Sequence, residues 1–129
     1  MTTELQVFQK WGDVARGGFQ AVPDLLLKNQ RLLGLSATDL VVLLNVLMNW
    51  WYADQKPHLR PTSISRRTGV TVRTVQRTLK NLETLGFISR TKLDGRTVVN
   101  PEGLVGRLLH LAETDPDYLV RKARRSKES

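Results

Sequence analysis

The sequence contains no cysteine, which excludes disulfide bridges and thiolate metal sites. It also has no long hydrophobic run. The longest, Leu40 to Trp51, is interrupted by Asn45 and Asn49. A membrane span needs about 20 apolar residues, so we interpret this run as a buried helix. The N-terminal segment lacks the basic start and apolar stretch of a signal peptide, and we expect a cytoplasmic protein with no membrane partner.

Acidic residues are also scarce, and the scarcity is local. The chain has 20 Lys and Arg against 12 Asp and Glu, a net charge of +8 at pH 7. Residues 60–96 contain nine Lys and Arg, opposed only by Glu83 and Asp94, so this block has a net charge of +7. A concentrated positive field attracts a polyanion, whereas a basic surface that only aids solubility predicts an even spread.

The length of 129 residues favours a single domain. We divide the chain into an N-terminal arm (1–18), a central domain (19–112) and a basic C-terminal tail (113–129). The arm is weakly patterned and is predicted to be loose or to form a short helix. The tail is predicted to be disordered on its own, because its few apolar residues cannot offset the entropy of ordering it.

The first half of the central domain contains mostly helical patterns. Residues 19–22 alternate like a short strand, and residues 25–33 have apolar residues at helical spacing. Ser36 or Thr38 is a candidate N-cap, with Asp39 in the first turn, for a helix over about 37–52. That helix is apolar nearly all round, so we expect it at the centre of the fold.

The basic block has the pattern of two helices followed by a hairpin. The helical stretches 62–68 and 72–85 are separated by Gly69-Val70-Thr71, and Gly86 ends the second. Strand-like residues 87–92 and 96–99 flank Asp94-Gly95, which is a strong hairpin turn pattern. Asn100-Pro101-Glu102 then predicts the start of a last helix, which reaches about residue 112.

The helix over 72–85 has two contrasting faces. One face has the apolar residues Val72, Val75, Leu79 and Leu82, and the opposite face has Arg73, Gln76, Arg77 and Lys80. In the major groove of DNA, Arg binds guanine through two hydrogen bonds and Gln binds adenine in the same way. Thr71 is the predicted N-cap, and its hydroxyl and the first free amides are suited to a phosphate.

The stretch from Pro61 to Ile88, PTSISRRTGVTVRTVQRTLKNLETLGFI, resembles the helix-turn-helix of winged-helix DNA-binding proteins. The matching positions are Gly69, Thr71, Thr74-Val75, Arg77, Leu79, Leu82-Glu83, Gly86 and Phe87-Ile88. Ser65 departs from the family's usual alanine, but serine is small enough for the same place. The upstream segment from Phe19 to Trp51 also resembles the version found in plasmid and phage replication initiators and related small regulators. The likeness thus covers about residues 19–112 and is strongest over 61–88.

The resemblance implies a mainly α fold with a small β-hairpin wing, in other words a winged helix-turn-helix. It also implies that the recognition helix 72–85 enters the major groove while the wing 87–99 lies on the DNA backbone. The cations on the wing have a simpler explanation as well, since they would keep an edge strand soluble. The candidate DNA-binding residues are Arg66, Arg67, Thr71, Arg73, Thr74, Gln76, Arg77, Lys80, Arg90, Lys92 and Arg96.

Other kinds of site have little support in the sequence. His58 and His110 lack cysteine partners and metal-ligand spacing, so we expect no metal site. Asp54 and His58 suggest acid–base chemistry, but no motif positions a nucleophile, and no glycine-rich loop is suited to a phosphate cofactor. We therefore expect no enzymatic activity, no cofactor and no small-molecule ligand.

The sequence therefore predicts a sequence-specific double-stranded DNA-binding protein, acting as a transcriptional regulator or a replication initiator. The alternative is a winged-helix protein-interaction module in a replication or partition assembly, since a fold alone does not assign a function. RNA binding is disfavoured, because no aromatic residue lies on the basic face. We expect a homodimer, because one recognition helix contacts only a few base pairs and the helices over 40–51 and 101–112 offer apolar surface.

Overall fold

The computed structural model describes residues 3–50 and 55–128. The helices are α1 (Thr3–Trp11), α2 (Asp24–Lys28), α3 (Ala37–Leu47), α4 (Pro61–Thr68), α5 (Val72–Thr84), α6 (Glu102–Ala112) and α7 (Pro116–Glu128), with a 3-10 helix, η1 (Gly12–Gly17), after α1. Strands β1 (Ser89–Leu93) and β2 (Arg96–Asn100) form an antiparallel hairpin. The predicted fold class, mainly α with a hairpin wing, is confirmed. Helix α3 ends at Leu47, before the end near residue 52 that the sequence predicts. Residues 51–52 of that prediction, and Asp54, lie outside the described residues.

Helix α3 begins at a capping box. Ser36 Oγ accepts from the amide of Asp39 at 3.0 Å, and the Asp39 carboxylate accepts from the amide of Ser36 at 2.9 Å. Of the two candidate caps, Ser36 is therefore the N-cap. Val42, Leu43 and Val46 are buried, and α3 contacts both α4 and α5. The predicted central position of this helix follows from that packing.

The turn between α4 and α5 depends on Gly69 and Thr68. Gly69 adopts a φ of +77°, a left-handed conformation that is unfavourable for residues with a Cβ. The Thr68 hydroxyl donates to the carbonyl of Ile64 at 2.7 Å and accepts from the amide of Val70 at 3.1 Å. These bonds satisfy backbone groups at the end of α4 and fix the direction in which α5 starts.

The hairpin has the predicted two-residue turn. Asp94 and Gly95 have φ values of +53° and +75°, as a type I′ turn requires, and Leu93 pairs with Arg96. An upstream segment extends this wing, because the amides of Leu59 and Val99 bond to the carbonyls of Thr97 and Pro57 at 2.9 Å each. In this segment His58 lies opposite Val98 in an isolated β-bridge.

Helix α6 packs closely against the end of α5. The Asn100 side chain accepts from the amide of Glu102 at 2.9 Å, which supports the predicted helix start. A Cβ at Gly103 would clash with the carbonyl oxygen of Gly86, so only glycine allows this approach. Leu104 and Leu108 join the buried core with residues of α3 and α5.

Three segments differ from the predictions. Residues 19–22 form no strand, because no described segment pairs with them, and the helix predicted over 25–33 is reduced to α2 followed by turns. The tail is not disordered: most of it forms α7, whose start is capped by the Asp115 carboxylate accepting from the amide of Tyr118 at 2.9 Å.

The arm is helical, and Phe8 contacts Phe19 edge to face at 6.2 Å between ring centroids. Across the described ranges, no helix is both long enough and apolar enough to span a bilayer.

Candidate nucleic-acid interface

The inner face of α5 fixes its position. Val75, Leu79 and Leu82 are completely buried, as the helical wheel predicts, and Thr78 is buried beside them. Val72, predicted on the same face, is half-buried at the first turn. Burial of three such side chains contributes several kcal/mol of apolar stabilisation, at about 1.5–3 kcal/mol each. The buried face therefore holds α5 in place and fixes the position of the side chains on its other face.

The outer face of α5 is basic and accessible. Arg73, Gln76, Arg77 and Lys80 are all exposed, as predicted. None of the three cations forms an ion pair with another described residue. Three positive charges on one face without a counterion create a local field that attracts an anion.

The first turn of α5 uses the Thr71 hydroxyl internally. Thr71 is the N-cap, as predicted, and its Oγ1 accepts from the amide of Thr74 at 3.2 Å. The same hydroxyl donates to Thr74 Oγ1 at 2.9 Å. Its proton is therefore committed within the helix, which leaves the Thr74 hydroxyl as the donor that remains for a phosphate.

The last turn of α4 places two further cations beside the turn. Arg66 and Arg67, both predicted site residues, are exposed, and neither pairs with an acid within the described ranges. Helix α4 packs on α5, so these cations belong to the same unit as the recognition helix. In a helix-turn-helix, the first helix crosses the DNA backbone.

The three predicted cations of the wing differ in their surroundings and in the face of the hairpin on which they lie. Arg90 is half-buried and its Nε donates to Glu83 on α5, so this arginine is engaged within the protein rather than freely presented. Lys92 pairs across the hairpin with Thr97, and Arg96 pairs with Leu93. Because cross-strand partners share a face and successive residues alternate, Lys92 lies on the face of Arg90 and Arg96 on the opposite one.

The Glu83–Arg90 pair is the functional contact that the sequence analysis missed. It joins the last turn of α5 to the first strand of the wing and neutralises the acid of the recognition helix. Both residues lie within the basic block, at the two ends of the turn around Gly86. Their opposite charges on either side of a predicted helix end were the available indication.

A shallow groove beside α5 contains one acidic residue. Asp39 lines it together with Thr74, Arg77, Thr78 and Asn81. The Asp39 carboxylate accepts from the amide of Ser36, and it forms no ion pair with Arg77. The guanidinium of Arg77 thus remains available on the outer face. In the described part of the chain, no three His, Asp or Glu side chains cluster in a way suited to a metal ion.

Comparisons with known proteins support this architecture. Residues 33–88 match the family described as Helix-turn-helix domain. The chain is also similar in structure to the crystal structure of the N-terminal domain of DnaD protein from Geobacillus kaustophilus HTA426, with a TM-score of 0.58 and 24% sequence identity over 94% of this chain and 97% of that chain. No curated protein matches the sequence significantly. Residues 33–88 thus resemble a helix-turn-helix domain, and together with the hairpin that follows they have the fold of a winged helix-turn-helix.

Proposed function

We propose that this protein binds double-stranded DNA in a sequence-specific manner and acts as a transcriptional regulator or a replication initiator. The observation that carries the proposal is the contrast between the two faces of α5. One face is locked into the core by Val75, Leu79 and Leu82. The other presents Arg73, Gln76, Arg77 and Lys80 to solvent. The helix-turn-helix match supports a DNA-binding role for this surface.

The dimensions of the recognition helix suit the major groove. An α-helix with its side chains is about 10–12 Å across, and the groove is about 12 Å wide. With α5 in the groove, Arg73 and Arg77 would bind guanines and Gln76 an adenine. Lys80, two turns from Arg73, would reach the backbone at the other side of the groove.

Other residues would then position α5 without recognising bases. The Thr74 hydroxyl and the first amides of α5 would bind one phosphate, and Arg66 and Arg67 would bind others. The wing would lie over the adjacent backbone, held at a set angle to α5 by the Glu83–Arg90 pair. In this arrangement the protein is a binding protein and not an enzyme, since its basic groups serve to hold a polyanion.

We also propose that the protein binds DNA as a homodimer. A single recognition helix contacts too few base pairs for regulator-level affinity, and two-fold dimers are the commonest solution. Val105 and Leu109 on α6 are 49% and 59% exposed and lie one turn apart, which provides an apolar stripe. Light scattering at micromolar concentration should give about twice the chain mass of 14.7 kDa. A monomer that binds one non-palindromic site would contradict the dimer.

The DNA-binding proposal is tested by selecting bound sequences from a random duplex pool. The wild-type protein should enrich one short motif, repeated as an inverted pair if the protein is a dimer. Arg73→Ala and Arg77→Ala should each relax the motif at one base pair, because each removes a base contact. Arg107→Ala, an exposed arginine on α6 that lies outside this surface, is the matched control and should leave the motif unchanged. A wild-type protein that enriches no motif would reject the proposal and favour a protein-interaction module.

A further inference from the structure

A second basic site lies beside α4 and shares Arg67 with the proposed DNA-binding surface. A cleft of about 680 Å³ opens between the end of α3, the segment 55–60 and α4, and we call it the α4 cleft. Arg60, Ser63 and Arg67 line it from one face of α4, at positions i, i+3 and i+7. Asn45 and Asn49, one turn apart on α3 and its C-terminal extension, line it from the opposite wall.

The charge of the α4 cleft is unbalanced. Arg60 and Arg67 are exposed, and neither forms an ion pair with any described residue. No described lining residue is acidic. Lys56 also lines the cleft, but Glu102 lies 2.7 Å from its ammonium group and matches its charge. Two arginines on one wall, with no counterion among the described residues, favour an anionic ligand.

The remaining lining combines hydrogen-bonding groups with an apolar floor. His58 and Ser63 add polar atoms, and the Asn45 side chain is fixed by donating to the carbonyl of Val41 at 2.9 Å. Val46, Leu59 and Ile64, which are buried, form the apolar floor. The cleft volume falls within the range of about 300–1,000 Å³ that is typical of small-ligand sites, and most of its described lining residues are polar.

We propose that the α4 cleft binds the phosphate group of a phosphorylated ligand, with Arg60 and Arg67 as the phosphate-binding side chains. Arginine suits this role because its planar guanidinium donates two parallel hydrogen bonds to phosphate oxygens. The phosphate belongs either to a free organic phosphate or to the DNA backbone. The volume and the apolar floor favour the free ligand, since a backbone phosphate needs only the arginines. The proposal does not depend on base recognition by α5.

The first experiment follows backbone amides by NMR while AMP is added to the full chain. The amides of Asn49, Ser63 and Arg67 should shift in a saturable way with AMP and should not shift with adenosine, which lacks the phosphate. Arg60→Ala should weaken AMP binding roughly tenfold or more, because it removes a charged hydrogen bond. Asn49→Asp, which adds a carboxylate to the opposite wall, should also weaken it. Arg107→Ala should not change it.

The second experiment separates the two sources of phosphate. Duplex binding by wild type, Arg60→Ala and Arg107→Ala is measured over a range of salt concentrations. If the phosphate is that of DNA, AMP causes no shift and Arg60→Ala alone flattens the salt slope by about one. If neither AMP binding nor the salt slope responds to Arg60→Ala in a variant with an unchanged melting temperature, the proposal is wrong. Relaxation of the selected motif at one base pair in Arg73→Ala reports on α5 separately, so the two proposals can fail independently.

Discussion

Helices α5 and α7 are both 13 residues long and both basic, yet they are held in different ways. Three side chains of α5 are completely buried in the core. On α7, no residue from Pro116 to Arg125 is buried, and Tyr118 is the half-buried exception on an otherwise exposed surface. The two helices therefore have a similar charge content, but only α5 is anchored by buried side chains.

The attachment of α7 is mostly polar. Lys28 on α2 bonds to Asp117 at 2.8 Å and to Asp115 at 3.3 Å. Exposed ion pairs of this kind contribute little to stability, typically about 0–1 kcal/mol. Base recognition needs side chains held within about 0.5 Å of the productive geometry. In the proposed complex with DNA, base recognition would therefore fall to α5, and α7 would be suited to uniform attraction of phosphates.

The largest expected difference between the two helices is in folding stability. Leu79→Ala removes a completely buried side chain of α5 and should lower the free energy of unfolding by about 2–5 kcal/mol. Leu119→Ala on α7 removes a side chain that is 47% exposed and should change it by less than about 0.5 kcal/mol. Urea unfolding monitored by circular dichroism measures both. A loss of several kcal/mol in Leu119→Ala would show that α7 is anchored as firmly as α5.

A second difference concerns specificity. Arg77→Ala should cost about 1–3 kcal/mol of binding to the preferred duplex and much less with an unrelated duplex. Arg124→Ala on α7 should weaken binding to both duplexes equally, because a phosphate contact has no sequence preference. Competition binding with the two duplexes separates these cases. Equal losses on both duplexes in Arg77→Ala would remove the distinction between the helices.

A smaller effect is expected for the wing, in the salt dependence of duplex binding. Lys92 shares the hairpin face of Arg90, which contacts α5, and Arg96 lies on the other face. Lys92→Ala should therefore flatten the salt dependence of duplex binding by about one unit, and Arg96→Ala should flatten it less. Fluorescence anisotropy over a salt series provides the slopes. If Arg96→Ala has the larger effect, the wing approaches DNA with its opposite face.

The smallest expected effect is on the attachment of α7. The hydrogen bond from Lys28 lowers the pKa of Asp117, and the same bond, with that to Asp115, raises the pKa of Lys28. A lowered acid pKa stabilises the fold above about pH 4 and a raised lysine pKa does so below about pH 10, so the pair acts between these limits. Amide exchange in α7 should therefore be faster in Lys28→Ala than in wild type at pH 7.

As the pH falls through the lowered pKa of Asp117, the difference between Lys28→Ala and wild type should disappear. A groove between α2 and α7 is lined by Lys28, Asp117 and Tyr118, among others. Arg31→Ala removes an exposed cation that lies outside this groove, and it is the control. Identical exchange of Lys28→Ala and wild type at pH 7 would mean that the ion pairs of Lys28 do not hold α7 in place.

The helix-turn-helix and wing were predictable because their determinants are local. Thr71 caps α5 through a residue three positions away, and Gly69 and Gly86 adopt the left-handed conformations that end α4 and α5. Asp94-Gly95 forms its turn without distant contacts. The start of α7 had a local determinant too, since Asp115 precedes Pro116 at the first helical position. That pattern was outweighed by the low apolar content of the tail.

The elements from α4 to α6 follow from the sequence alone, because caps, turns and the spacing of apolar residues act within a few positions. Which charged groups meet depends instead on how the helices pack. Lys28 reaches Asp117 across 89 positions, Arg90 is withdrawn from the wing surface by Glu83, and the α4 cleft is assembled from three separate segments. Residues 19–22 show the reverse case, in which a strand-like pattern finds no partner among the described segments. Ion pairs, clefts and strand pairs require two chain segments to be adjacent in space, and adjacency is a property of the packed core and not of any local stretch.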